Sequence, residues 1–166
     1  SLASRGLDKP VLNVFRLFSQ MGRERLRADS DAALPLEVIT RRGVLDRPDV
    51  SALASRDATR LTVLVWHYHD DDVPGPDAAV SVAVSGLPFA SGEATLQHFR
   101  IDEEHSNAFS AWKRMGSPQD PTPEQYAKLE AAGRLAALGR PETVRVENGA
   151  VLVKFNLPRQ GVSLLM

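Results

Sequence analysis

The chain has 166 residues, of which 43% are hydrophobic and 25% charged, proportions typical of an ordinary globular domain. Its net charge of -1 gives no electrostatic basis for binding nucleic acid or an acidic membrane, and no apolar run approaches the roughly 20 residues that a membrane span needs. The absence of cysteine excludes disulfides, thiolate chemistry and Cys-based zinc sites, so we expect a reducing, cytoplasmic location and neither a nucleic-acid nor a membrane partner.

A helix is predicted near the amino end of the chain. Asp8-Lys9-Pro10 is a typical helix start, because Pro lacks an N–H that would be unpaired in the first turn anyway. The stripe of apolar residues that follows is too wide for burial on one side only. We therefore expect either a terminal helix packed on the rest of the chain or the last helix of another domain, and the abrupt start of the sequence indicates a fragment. The apolar positions are Val11, Leu12, Val14, Phe15, Leu17, Phe18 and Met21, with Gly22 as a stop.

The remainder of the sequence predicts mainly short strands. Residues 60–69 give the strongest signal, since both faces are apolar, as in a central strand that is covered on both sides. Asn148-Gly149, between two alternating runs, predicts a hairpin with a type I′ turn. The turn punctuation predicts a mainly β protein folded as an antiparallel β-sandwich. The predicted strands are residues 36–40, 50–56, 60–69, 78–85, 93–101, 143–147, 150–157 and 162–166.

Residues 103–139 interrupt this pattern with a predicted helix–loop–helix. Asp102, Glu103 and Glu104, followed by His105, superficially resemble an acid–base cluster. Negative charge is also favoured in the first turn of a helix, and we therefore interpret these carboxylates as a helix start.

Two further features support the helical pair. Trp112 and Met115 lie three residues apart and are predicted to form the core-facing side of the first helix. Thr122 and Gln125 enclose a Pro-Glu pair and predict a capping box at the start of the second helix.

The candidate site lies where the strongest strand ends. His67 and His69 point to the same face of a strand, and Asp70 and Asp71 follow at once. Imidazoles and carboxylates could bind a divalent metal, but the spacing matches no standard motif, so we predict neither a metal nor a cofactor. Instead, we interpret these four residues as a loop at a domain edge that contributes hydrogen bonds to a neighbouring substrate site.

No self-contained active site is visible in the sequence. It contains no nucleophile elbow, no phosphate-binding glycine loop and no His-rich zinc helix, and Ser163 has no base beside it in the sequence. We therefore assign no catalytic residue in this chain.

Four segments in the same order resemble the carboxyl-terminal region of glycoside hydrolase family 39, which comprises β-xylosidases and their α-L-iduronidase relatives. Residues 101–130 carry the specific pattern HSNA…W…MGSP…PT…Q, and residues 9–16, 65–72 and 157–164 agree with it. The bacterial β-xylosidase branch is the nearer match.

This resemblance implies a division of labour within a longer protein. A (β/α)8 barrel would carry the reaction with two glutamates about 5–5.5 Å apart at the carboxyl ends of its strands. No glutamate of this chain matches either motif, so both would precede Ser1. Residues 1–27 would then be the last helix left over from that barrel, and residues 28–166 the accessory β-sandwich with its helical insertion.

The expected function follows from that division. The parent protein would be a retaining β-xylosidase that releases xylose from the non-reducing ends of xylo-oligosaccharides. The missing barrel of the same protein would be the partner of this segment, and substrate would be reached through it. The segment itself would be structural, with a carbohydrate-binding module or an oligomerisation domain as alternatives; the sequence leaves the oligomeric state open.

Overall fold

A computed structural model describes residues 3–166, and Ser1 and Leu2, the first residues of the predicted segment 1–27, lie outside the described residues. The predicted mainly β class is confirmed. The helices are α1 (Pro10–Gln20), α2 (Leu36–Arg42), α3 (Ala108–Arg114) and α4 (Pro123–Gly133). The strands are β1 (Ala3–Ser4), β2 (Leu7–Asp8), β3 (Glu24–Leu26), β4 (Asp49–Arg56), β5 (Leu61–Tyr68), β6 (Ala78–Val84), β7 (Gly92–Leu96), β8 (His98–Ile101), β9 (Ala136–Ala137), β10 (Glu142–Val146), β11 (Val151–Leu157) and β12 (Val162–Leu165).

The larger layer is a six-stranded antiparallel sheet with the order β3-β4-β5-β12-β8-β9. β5 pairs along its length with β4 and on its other edge with β12. Val63 and Val65 belong to one buried cluster, and Leu64, between them, belongs to a second cluster on the opposite face. The prediction of a central strand covered on both sides is therefore confirmed.

The second layer consists of two ladders, β6 with β11 and β7 with β10. The alternating valines of β6 pack onto the cluster formed by Val63 and Val65, which confirms the β-sandwich. Asn148 and Gly149 have φ values of 52° and 68°, as a type I′ turn requires. The two strands beside this turn then separate, since β10 pairs with β7 whereas β11 pairs with β6.

α1 covers the outer face of the six-stranded sheet. Leu17 is fully buried there against Leu64 and Leu164. Only one side of the predicted apolar stripe is therefore buried, and the opposite side of the helix is exposed. That exposed apolar face consists of Val11, Phe15 and Phe18. The domain boundary after residue 27 stays a prediction; β3, which precedes it, pairs with β4.

Two predicted strands are wrong in detail. Residues 36–40 form the start of α2, which follows Pro35 and ends at Gly43, where φ is 74°. Pro before the first turn and a positive-φ glycine after the last are helix boundaries that outweigh the β-branched residues between them. Residues 93–101 divide at Gln97 into β7, which pairs with β10, and β8, which pairs with β12; the backbone of Gln97 itself pairs with that of Met166.

The first helix of the helical pair begins later than predicted. α3 starts at Ala108, and the side chain of Asn107 caps it by accepting a 3.0 Å hydrogen bond from the Ser110 N–H. The interpretation of residues 102–104 as a helix start is therefore wrong. Within α3 the buried positions are Ala108, Ser110 and Ala111, whereas Trp112, which was predicted to face the core, is only partly buried.

The second helix begins as predicted. The Gln125 N–H donates to Thr122 Oγ1 at 3.2 Å, and the Thr122 N–H donates to Gln125 Oε1 at 2.9 Å. This reciprocal pair confirms the capping box.

Candidate functional site

A cavity of about 540 Å³ lies at the carboxyl end of β5, between that strand, the end of α2 and the turn that precedes β12. His67 and Asp70 of the four predicted site residues line it, whereas His69 and Asp71 do not. The polar and aromatic lining residues are Asp49, Trp66, His67, Tyr68, Asp70 and Gln160.

A hydrogen bond to β11 of the second layer fixes the ring of His67. Its side chain is buried, and Nδ1 lies 2.9 Å from the carbonyl oxygen of Leu157. A carbonyl oxygen only accepts, so Nδ1 carries the proton and donates it. The ring therefore forms part of the cavity wall in a fixed orientation.

His69 stabilises the turn rather than the cavity. Its Nε2 donates to the carbonyl oxygen of Leu45 at 2.8 Å, and its Nδ1 accepts from the backbone N–H of Asp71 at 3.0 Å. Gln160 donates to the His69 carbonyl at 2.6 Å and ties the same turn to the strand connection before β12. Both ring nitrogens are thus engaged within the protein.

Asp70 fixes the other side of the cavity. Its carboxylate accepts the Val44 N–H at 2.7 Å, and its own N–H donates to the Val44 carbonyl at 2.9 Å. The interaction of the Tyr68 hydroxyl with this carboxylate, together with burial, raises the pKa of Tyr68. Tyr68 therefore stays protonated at neutral pH and presents a half-exposed ring at the cavity mouth.

Asp49 and Trp66 belong to the same site but were not singled out from the sequence. The indole N–H of Trp66 donates to one oxygen of the buried Asp49 carboxylate at 2.7 Å, and the Leu34 N–H donates to the other at 2.7 Å. Asp49 reads locally as part of a turn. Trp66 is the residue from which this pair could be predicted, because an indole in a mostly buried strand needs an acceptor for its N–H.

This arrangement suits hydrogen bonding and ring contact better than acid–base catalysis. Both cavity carboxylates already accept N–H donors from the protein. Within residues 3–166 no group of three or more His, Asp or Glu side chains is placed to hold a metal ion. The substrate-contact role of the four predicted residues stays a prediction.

A buried polar cluster around Asp102 and Arg100 lies apart from this cavity. The Asp102 carboxylate accepts the N–H groups of Glu104 and His105 and the His105 Nδ1, each at 2.8 Å, and Arg100 Nη1 at 3.3 Å. Burial alone would raise the pKa of Asp102, but the hydrogen bonds from His105 and Glu104 outweigh it and lower that pKa. Asp102 is thus an ionised acceptor that shapes the entry to the helical pair.

Ser163 does have a base beside it in space. His98 Nε2 lies 2.8 Å from Ser163 Oγ, which also accepts the Arg100 Nε–H at 2.8 Å. Burial, reinforced by the charge of Arg100, lowers the pKa of His98 to about 4, so the ring is neutral and accepts the serine proton. Ser163 is fully buried, so this pair joins strands β8 and β12 and is no nucleophile for a substrate in solution.

The fold defines a β-sandwich of the kind that occurs in glycoside hydrolases. A monomeric β-xylosidase from Caulobacter crescentus CB15 superposes with a TM-score of 0.71 and 18% identity over 97% of this chain and 31% of its own. A GH39 enzyme from Xanthomonas axonopodis pv. citri gives a TM-score of 0.60 and 25% identity over 74% of this chain and 27% of its own.

Sequence comparison then identifies the family. The model described as glycosyl hydrolases family 39 matches residues 2–145, and the chain belongs to that family. Human α-L-iduronidase is 33% identical over 143 residues, which cover 81% of this chain and 21% of that protein. This chain therefore spans about a fifth of the length of that curated relative. None of the helices in residues 3–166 is long and apolar enough to cross a membrane.

Proposed function

We propose that this chain is the accessory β-sandwich part of a family 39 glycosidase, and that it supports a catalytic (β/α)8 barrel of the same protein without carrying the reaction itself. The observation that carries the proposal is the exposed apolar face of α1. One side of this helix is fully buried at Leu17, whereas Phe15 on the other side is 56% exposed. A contiguous apolar strip on an otherwise packed helix marks a surface that another body covers.

The cavity at the end of β5 supports the non-catalytic part of the proposal. Retaining glycosidases need one carboxyl group as nucleophile and a second as acid and base, both free to reach the sugar. Asp49 and Asp70 are instead occupied by donors of the protein. Their role in the proposal is to hold Trp66 and Tyr68 as one wall of a substrate cleft whose reactive groups lie on the barrel.

Two sugars are candidate substrates of the parent enzyme, and a different observation favours each of them. The motifs of residues 101–130 favour a β-xyloside, as in the bacterial β-xylosidase branch. The 33% identity to human α-L-iduronidase favours an α-L-iduronide. Assays of the complete protein on p-nitrophenyl β-D-xylopyranoside and on 4-methylumbelliferyl α-L-iduronide decide between them by the ratio of kcat/KM.

The supporting role is tested with the 166-residue chain and with the complete protein. The chain alone is expected to hydrolyse neither substrate, and turnover that survives repurification would overturn the proposal. In the complete protein, Phe15→Asp is expected to lower activity and thermal stability, because it places a charge in the covered face. Leu152→Asp is the matched control, since Leu152 is also about half exposed but lies on the second layer. Equal effects of the two substitutions would contradict the assignment of the α1 face.

A further inference from the structure

A second cavity, of about 610 Å³, lies on the helical pair and not at the end of β5. The β1–β2 hairpin forms one wall, α3 and the loop of residues 118–121 form another, and α4 closes the base. We propose that this groove, called here the hairpin groove, is a carbohydrate-binding site that takes a pyranose oligosaccharide. The proposal goes beyond the supporting role, because the site is formed by this chain alone.

Three aromatic side chains line the hairpin groove: Phe109, Trp112 and Tyr126. Phe109 and Trp112 stack with ring centroids 5.8 Å apart and an interplanar angle of 28°. Phe109 is nevertheless 54% exposed, with the Lys113 ammonium 5.0 Å from its ring centroid, and Tyr126 is also exposed. Aromatic surface of this kind, gathered in a concave place, is suited to contact with the apolar C–H face of a sugar ring.

Hydrogen bonds fix the walls of the groove before any ligand arrives. The Trp112 indole N–H donates to the Pro118 carbonyl at 2.9 Å, and the Tyr126 hydroxyl donates to the Arg5 carbonyl at 2.8 Å. Arg5 in turn donates from Nη1 to the Gln119 carbonyl at 2.7 Å. The bonds of Arg5 tie the hairpin to α4 and to the loop of residues 118–121, and the Trp112 bond ties that loop to α3. A ring held in this way loses little conformational freedom on binding, which favours affinity.

The backbone of the hairpin permits the contact between Arg5 and Tyr126. Gly6 has a φ of 79°, and a Cβ at that position would lie 2.8 Å from the Tyr126 hydroxyl. Only glycine therefore allows the hairpin to approach α4 this closely without strain.

The polar groups at the rim of the groove favour a sugar as its ligand over an apolar segment of protein. Lys9 lines the groove, and among the described residues its ammonium has no hydrogen bond or ion pair. Asp8 and Gln119 also reach the lining. An apolar helix laid on the aromatic rings would cover this ammonium without a partner, which costs free energy. A pyranose instead offers hydroxyl groups at its edges to Lys9, Asp8 and Gln119 while its C–H face meets the rings.

The test is a titration of the 166-residue chain with xylohexaose, cellohexaose and chitohexaose, followed by calorimetry and by amide chemical shifts. Saturable binding of at least one of them is expected, with shift changes confined to α3, α4 and the β1–β2 hairpin. Phe109→Ala is expected to weaken that binding about tenfold through loss of ring contact. Phe89→Ala is the matched control, because Phe89 is also an exposed phenylalanine but lies outside the groove.

The outcomes separate this proposal from the supporting role. Absence of binding for all three sugars, or binding that Phe109→Ala leaves intact, would overturn the hairpin groove as a sugar site and would leave the α1 face untouched. Because Phe109 is largely exposed, its removal is not expected to unfold the chain, and an unchanged thermal midpoint checks this. Tyr126→Ala, measured in the same way, gives a second loss of affinity from the opposite wall.

Discussion

Substitution of Leu17 by alanine measures how firmly α1 belongs to the β-sandwich. Leu17 is fully buried and contacts a cluster that includes Leu64, Ile101 and Leu164 on the outer face of the sheet. Removing a leucine side chain from such a site costs both transfer free energy and the cavity that remains, about 3 kcal/mol in total. For a chain of this size, that loss corresponds to a fall of roughly 9 °C in the unfolding midpoint.

The measurement is urea denaturation of the 166-residue chain, followed by far-ultraviolet circular dichroism and by tryptophan fluorescence. Phe15→Ala is the control, because Phe15 lies on the same helix with its side chain mostly exposed, and we expect its effect to stay within about 0.5 kcal/mol. Both probes should give one coincident transition for Leu17→Ala, shifted to lower urea.

Two results would refute this reasoning. If Leu17→Ala changed the free energy of unfolding by less than about 1 kcal/mol, the helix would not be an integral layer of the sandwich. If circular dichroism showed an early transition that fluorescence did not follow, α1 would unfold separately, as expected of a helix that belongs to another domain.

Three further predictions concern polar contacts. Asn13→Leu removes a buried amide that donates to the carbonyls of Ser106 at 2.9 Å and Gly133 at 2.7 Å, so the free energy of unfolding should fall by about 2 kcal/mol or more, measured by urea titration. His98 binds a proton near pH 6.5 when unfolded and near pH 4 when folded. Its neutral ring therefore contributes fully to the free energy of unfolding above pH 6.5, and this contribution is lost as the pH falls towards 4. His98→Gln should remove this pH dependence, about 2 kcal/mol after allowance for solvent screening, and an unchanged profile would contradict the assignment. Thr122→Ala should destabilise the chain by about 1 kcal/mol through loss of the helix cap, and Thr122→Ser should restore most of that loss.

The parts of the fold that the sequence predicts best are those with local causes. β5 was recognisable because apolar side chains occupy both of its faces, and the turn at Asn148 and Gly149 because few residue pairs accept positive φ twice. The cap formed by Thr122 and Gln125 involves residues three positions apart. In each case the pattern that determines the element lies within a single strand or within a few neighbouring residues.

The misread features depend on partners that are distant in sequence. Asp102 has the local pattern of a helix start. Instead, it is buried beside Arg100, and its carboxylate accepts a hydrogen bond from that side chain. The pairing of His98 with Ser163 joins residues 65 positions apart and is invisible to any local pattern. α2 differs from these cases, because its boundaries are local. Pro35 and Gly43 indicate the ends of a helix, but the β-branched residues between them favour a strand.

The candidate site was only partly predictable for the same reason. His67 and His69 were grouped because they are two residues apart, yet the contacts that separate their roles come from the carbonyls of Leu157 and Leu45. Asp49 entered the site only through its bond to Trp66, across the ladder between β4 and β5. Alternation in a strand predicts which face a side chain occupies, but not which backbone group will meet it.

The position of β12 in the six-stranded sheet has a consequence for the biosynthesis of the protein. β12 lies between β5 and β8, although the ribosome makes it after both. Until residues 162–165 have emerged, the nascent chain holds two strands whose inner edges have no partner, and such open edges are prone to pair with other chains. Closing the sheet also joins segments that are far apart in sequence, which slows folding. The sheet is therefore expected to close only after β12 has emerged from the ribosome, and the need for chaperone protection of these two edges ends when β12 inserts.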